Sequence, residues 1–408
     1  MDLPPDHPAA VLLSADAVRA RCAQIMARCE AGESPHFQWR PERLAATADY
    51  VVDTIRARHP DLRVPYHSRW RHFEAGGVDR WAALADRHGL HGEARARARI
   101  DLVVPSVLLD AGAGPDWHYQ DAAHDMRLAR SEGLGVASLA LFAAGALSDD
   151  ARDPLRTDAA ALSRVTPATI AAAFQVSPAN PLVGLEGRAA LLARLGAAMA
   201  QAPAAFGQPA RLSSLLDALR ARAPGNRLAA SDLLGLLLRA LGSAWPGRAT
   251  LDGVPLGDCW PHPAVDAAIA PGFVPFHKLT QWLAYSLLEP LEEAGLEITG
   301  LEALTGLPEY RNGGLILDTG LLVPRQEGFM RDALAVDDAA VIEWRALTVI
   351  ALDRIADAVR QRLGLDARAF PLARVLEGGT WAAGRRIAYE RRPGGPPPVH
   401  IVSDGTVF

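Results

Sequence analysis

Apolar residues along the 408-residue chain recur mostly at helical spacing. In RLSSLLDALRAR, Leu212, Leu215, Leu216 and Leu219 take the i, i+3, i+4, i+7 positions of a buried stripe. Similar patterns predict a helix over residues 8–31, another over LAATADYVVDTIRARHP that Pro60 stops, and a third over DLLGLLLRALG with Ser231 as its cap. FVPFHKLTQWLAYSLLEPLEEAG predicts a strong helix with Pro275 in its first turn and Leu279, Trp282, Leu283 and Leu287 facing inward. A last long helix spans about 339–363, with Val341, Trp344, Thr348, Ala351, Ile355 and Val359 in register. The segment RVPYHSRWRHFEAGG predicts a loop or turn, and the apolar part of IDLVVPSVLLDAGAGPDWHYQD fits a strand or a buried helix equally. The terminal PPVHIVSDGTVF predicts a short β-hairpin around Asp404-Gly405. No repeat and no βαβ alternation is evident, so the expected fold is mainly α with a few short strands, organised as regions 1–150, 151–260 and 261–408.

Composition narrows the class. Half of the residues are apolar, 22% are charged and no run of 18 apolar residues occurs, which argues against disorder and against a membrane partner. A net charge of -5 disfavours a nucleic-acid partner bound through its backbone and leaves a small molecule as the better guess. The start, MDLPPDHP, has no basic segment followed by an apolar core, so a cytoplasmic location is expected. Cys22, Cys29 and Cys259 form no CxxC, which points to reduced thiols; Cys22 and Cys29 stand seven apart, as buried fillers on one helix face do. No cofactor and no metal is expected.

Lys278 is the only lysine among 42 basic residues. A coding bias that turns tolerant lysines into arginines explains such a count, and a position that needs a compact ammonium with a tunable pKa resists that replacement. PFHKLTQW places this lysine near a helix start, where the dipole disfavours a cation unless a carboxylate compensates. A chance survivor on the surface is the plain alternative. In LEALTGLPEYRNGGLILDTG, Pro308 and the Gly313-Gly314 pair confine Glu309, Tyr310, Arg311 and Asn312 to a tight connection from which a carboxylate can project into a cleft; the plain alternative is a surface turn. HYQDAAHD offers His118, Asp121, His124 and Asp125 as a metal cluster or a phosphohydrolase fragment, but further ligands at suitable spacing and an HExxH are missing. GxSxG and the P-loop are absent. RSEGLGVAS lacks the third glycine of a dinucleotide fingerprint, so Gly133 and Gly135 fit close helix packing better.

HSRWRHFEAGG, GPDWHYQDAAHDMRLARSEGLGVAS, FVPFHKLTQWLAYSLLEPLEEAG, GLPEYRNGGLILDTG, GGTWAAGRRIA and IVSDGTVF together resemble the uracil catabolism protein four family over almost the whole chain. That resemblance implies a place in a route that makes uracil into a nucleotide, opens its ring and releases urea. FHK and LTGLPEYR are also similar to FYK and LTMFADYR of the queuosine-nucleotide glycosidases, themselves related to helix-hairpin-helix DNA glycosylases. This second likeness implies a DNA-glycosylase-like helical body and a catalytic pair at an N-glycosidic bond, carried over to Lys278 and Glu309, with Tyr310 and Arg311 in matching positions. Glu309 stands where that family has aspartate.

The function these resemblances imply is hydrolysis of a ureido-ribose, phosphorylated or not, to urea and the sugar. Its transition state resembles an oxocarbenium ion, which Glu309 stabilises while Lys278 holds Glu309 ionised or bonds the substrate. Trp117 and Tyr119 are expected to flank the planar ureido group, with Asp116 beside them, and Arg69, Arg71 and Arg311 with His67 or His72 are the phosphate candidates. A non-catalytic partner of a pathway enzyme or intermediate and a nucleic-acid base glycosylase are the two competing classes. The oligomeric state is not legible.

Overall fold

The computed structural model describes residues 3–4, 7–245, 249–266 and 268–402. The long helices Ala15–Glu30, Leu44–Arg58, Lys278–Glu293 and Ala339–Leu363 follow the predicted stripes, while Gly92–Leu108, Arg130–Ala143 and Leu185–Gln201 are not among them. The fold is mainly α. The Ala339–Leu363 helix packs against Ala15–Glu30 and Leu44–Arg58, and Lys278–Glu293 packs against Gly92–Leu108. One continuous set of buried apolar side chains runs from Ala9 to Ile401 through these contacts. Strands among the described residues occur only as two-stranded pairs.

Several local expectations change for identifiable reasons. The 8–31 helix is two, Pro8–Leu12 and Ala15–Glu30, because the Ser14 hydroxyl accepts from the Ala17 N–H and restarts the chain. Cys22 and Cys29 do lie buried on the second of them. The apolar run at 100–108 is the buried end of a helix whose polar beginning, GEARARAR, makes it long enough, and Pro105 is accommodated inside it. RVPYHSRWRHFEAGG contains a short helix, Trp70–Phe73. Ser231 is not a cap: its helix begins at Ala230 after an extended Ala229, with no side chain bonding the first turn. The turn at Asp404-Gly405 lies outside the described residues; before it, His400–Val402 pairs in parallel with Ala333–Ala335.

Pro275 does not open a helix either. It ends the strand Phe273–Pro275, paired antiparallel with Cys259–Pro261, and the helix begins at Lys278. The chain turns between them through His277, held at φ 48°, a left-handed conformation that costs a non-glycine residue about 1 kcal/mol. Asp258 fastens this turn. Its carbonyl accepts from the N–H groups of Phe276 (2.8 Å) and His277 (3.2 Å), and its carboxylate accepts the Lys278 N–H at 3.0 Å. Arg345 grips the same carboxylate with two bonds of 2.8 Å each. Burial pushes the Asp258 carboxyl up, but Arg345 overrides it and holds it well below the usual range.

A cavity between helix N-termini

Three helices begin at one cavity of about 360 Å³: Arg130–Ala143, Lys278–Glu293 and Tyr310–Asp318. Glu309 is the N-cap of the third, its Oε2 accepting the Arg311 N–H at 2.7 Å and its Oε1 the Asn312 N–H at 2.6 Å. These charge-assisted bonds fix the carboxylate while leaving each oxygen a lone pair for a ligand. Lys278 lines the same cavity. Burial lowers its pKa from the usual lysine value, and the Glu309 charge is the largest influence opposing that shift, followed among the carboxylates by Asp110 and Asp258. The lone lysine and the predicted carboxylate therefore line one cavity.

The aromatic walls differ from those expected. Trp117 is 1% exposed, donates its indole N–H to the Phe174 carbonyl at 3.0 Å and forms part of the core. A side chain at Gly133 would come within 2.9 Å of that indole, so the glycine serves close packing, as its sequence context suggests. Tyr119 belongs to the hairpin Tyr119–Asp121/Met126–Leu128, and neither it, Asp116 nor Trp117 lines the cavity; the neighbouring loop does, through residues 110–115. Trp282 and Trp381 line it instead. His67 lies between them, with ring centroids 6.4 Å from Trp282 and 5.7 Å from Trp381. Trp381 follows a π-helical stretch, Val375–Thr380. Its helix meets the Tyr310 helix closely because Gly384 lies against the Arg311 carbonyl, where any Cβ would be only 2.0 Å from that oxygen.

His67 and His72 both line the cavity, each with a buried partner. His67 Nδ1 and Glu377 Oε2 are 2.7 Å apart. Burial raises the Glu377 carboxyl, but the bond to His67 together with the nearby positive groups outweighs it and the net direction is down. Arg69 is fully buried beneath the cavity, 2.8 Å from Asp110 Oδ1, and donates to His72 Nδ1 at 3.1 Å. It supports lining residues without being one. Arg71 turns away to Glu289, at 2.8 Å, and Glu74, at 3.1 Å. Of the predicted phosphate candidates, Arg311 alone among the arginines reaches the cavity, where Arg130 and Arg385 join it; Tyr310 lines it as well. The HYQDAAHD carboxylate Asp121 is engaged by Arg80 at 2.7 Å and by His124 at 2.8 Å.

Burial, and then the charge of Arg69, push His72 down from the usual 6.5 to about 4. Between those values the unfolded chain binds a proton that the folded one refuses, so this contribution to stability is complete above pH 6.5 and is lost as the pH falls toward 4. Urea unfolding of wild type and His72→Gln across that window should show the wild type losing stability faster on acidification. Parallel profiles would exclude His72 as the cause.

The fold and cavity define a mainly α protein that presents an ammonium, a capped carboxylate and two tryptophans to a small-molecule-sized space. The family model described as "Protein of unknown function (DUF1688)" matches residues 11–408, and the chain belongs to that family. Uracil catabolism protein 4 of Lachancea kluyveri is 37% identical, with 99% of each chain aligned. Protein urg3 of Schizosaccharomyces pombe is also 37% identical, with 98% of each aligned. Among the described residues no helix is long and apolar enough to cross a membrane.

Proposed function

We propose that this protein is an N-glycoside hydrolase of uracil breakdown, acting on a ureido-ribose left when the uracil ring has been opened. The observation that carries the reading is the convergence of Lys278 and Glu309 on one cavity beside Trp282 and Trp381. The name of the Lachancea kluyveri relative supports the pathway. Water adds its hydroxyl to C1′, the bond from C1′ to the ureido nitrogen breaks, and the remaining proton leaves with that nitrogen as urea. Glu309 stabilises the positive charge that develops on the sugar and orients the water. Lys278, whose ammonium burial makes more acidic, offers a proton or a hydrogen bond to the departing group. Trp282 and Trp381 offer flat apolar surface to the planar ureido portion.

Purified protein given ribosylurea and ribosylurea phosphate should release urea from at least one of them. Failure with both would favour a non-catalytic role beside a pathway enzyme. In Lys278→Arg the charge is kept but the compact ammonium is lost, and a displacement of this kind costs about 100-fold in turnover. Urea release by the folded variant at saturating substrate checks this; unchanged turnover would remove Lys278 from the chemistry.

A further inference from the structure

We propose that the end of the cavity bearing Arg130, Arg311 and Arg385 is a phosphate-monoester subsite, so that the ligand is a sugar phosphate and not a neutral glycoside. This rests on the reading of the cavity as the place where a ribosyl compound binds. All three arginines line it, against three lining carboxylates, Asp110, Glu132 and Glu309, of which Asp110 is paired with Arg69. Glu132 is paired with Arg385, and Glu309 is held as the cap of its helix. Burial, and after it the charges of Arg130 and Arg385, lower the pKa of Arg311, with Glu309 opposing them. Against the opposing effect of burial, Glu132 offsets Arg385 and raises its pKa, which leaves Arg311 as the under-compensated guanidinium; a dianion, which accepts several charge-assisted hydrogen bonds at once, would balance it.

The backbone adds to the same field. Arg130 opens a 14-residue helix whose preceding residue, Ala129, supplies no capping side chain. It does so at φ 54°, a left-handed conformation of the kind retained where a particular side-chain direction is needed. The amino end of a helix favours an anion through its dipole and unpaired N–H groups. The Tyr310 helix also begins at the cavity, but Glu309 already takes its Arg311 and Asn312 N–H groups, so those donors are not offered to an anion. Two of the arginines are also held in place: Arg130 Nη2 donates to the Gly394 carbonyl at 3.1 Å and Arg311 Nη1 to the Gly395 carbonyl at 2.9 Å. The adjoining Pro396 and Pro397 close that side of the cavity. Each guanidinium carries four further N–H donors.

Arg311 senses Glu309, Arg130 and Arg385, whereas Lys278 senses Glu309, Arg345, Asp110 and Asp258. Glu309 thus acts on both Arg311 and Lys278, and all three line the cavity. A pentose phosphate with its phosphate among the arginines and C1′ beside Glu309 leaves its ureido group for the part of the cavity lined by Lys278.

Calorimetric titration of the full chain with ribose 5-phosphate and with ribose tests the subsite without any turnover. Ribose 5-phosphate should bind at least about 100-fold more tightly than ribose. Arg130→Ala and Arg385→Ala should each weaken ribose 5-phosphate about 10-fold or more and change ribose less than about 2-fold. No preference in the wild type, or equal losses for both sugars in the variants, overturns the subsite, and the wild-type comparison holds even if a variant fails to fold. Arginine-dependent binding of ribose 5-phosphate without urea release from ribosylurea phosphate would support the subsite while removing the hydrolase. Urea release at equal efficiency from ribosylurea and its phosphate would do the reverse.

Discussion

Glu309→Gln should release urea about 100 to 1000-fold more slowly than the wild type, the loss that follows removal of one preorganised charge from a site where charge develops. Substrate affinity should change less, because the oxocarbenium character that Glu309 stabilises arises only on the way to the transition state. The substitution separates chemistry from architecture. Both Glu309 oxygens accept backbone N–H groups, and glutamine keeps one acceptor, so the helix cap is weakened by about 1 kcal/mol and not abolished. Single-turnover urea release, read beside a denaturation midpoint, distinguishes a chemical defect from an unfolded fraction. Near-wild-type turnover in a stable Glu309→Gln protein would assign the catalytic charge to another group.

Asp258→Ala is the substitution expected to cost most in stability, about 3 to 5 kcal/mol, because it leaves Arg345 buried without its carboxylate. The Arg345 side chain is fully excluded from solvent, and its guanidinium stands 4.1 Å from the Phe276 ring centroid, so it has no easy route to water. The same change unfastens the Lys278 N–H and the turn through His277. Urea or guanidinium titration should show the midpoint falling with little change in slope. A loss under about 1 kcal/mol would mean that Arg345 finds another partner and that the pair is not what holds the turn.

The two results differ in how far the sequence foretells them. Lys278 stands out because it is the only lysine, and Glu309 because proline and glycines bracket it; both are local signals in the chain. The helical stripes are equally local, which is why Ala339–Leu363 and the inward face of Lys278–Glu293 follow from periodicity. Asp258 carries no such mark. Its importance comes from a partner at position 345 and from a turn built across a strand pair, neither of which leaves a periodic trace. Trp117 misleads for the opposite reason: an aromatic residue among Gly, Pro, Asp and His looks like a binding-loop residue, yet Gly133 and Phe174 enclose it. Trp282 takes its place while still satisfying the inward helical spacing, so periodicity finds its burial but not the cavity beside it. Trp381 and Arg385 are legible only as part of a family-like segment, since the close approach at Gly384 that delivers them is a contact between distant parts of the chain.

The cavity draws its walls from His67 near one end of the chain and from Trp381 to Pro397 near the other. During synthesis the ribosome releases Lys278 and Glu309 well before the residues that complete their surroundings, so a nascent chain carries the reactive pair without an enclosure for it. Joining such distant segments also makes this region dependent on slow, long-range docking and not on the helices that form first. Ligand-binding competence should consequently arrive as a late step of maturation, after most of the helical signal has already developed.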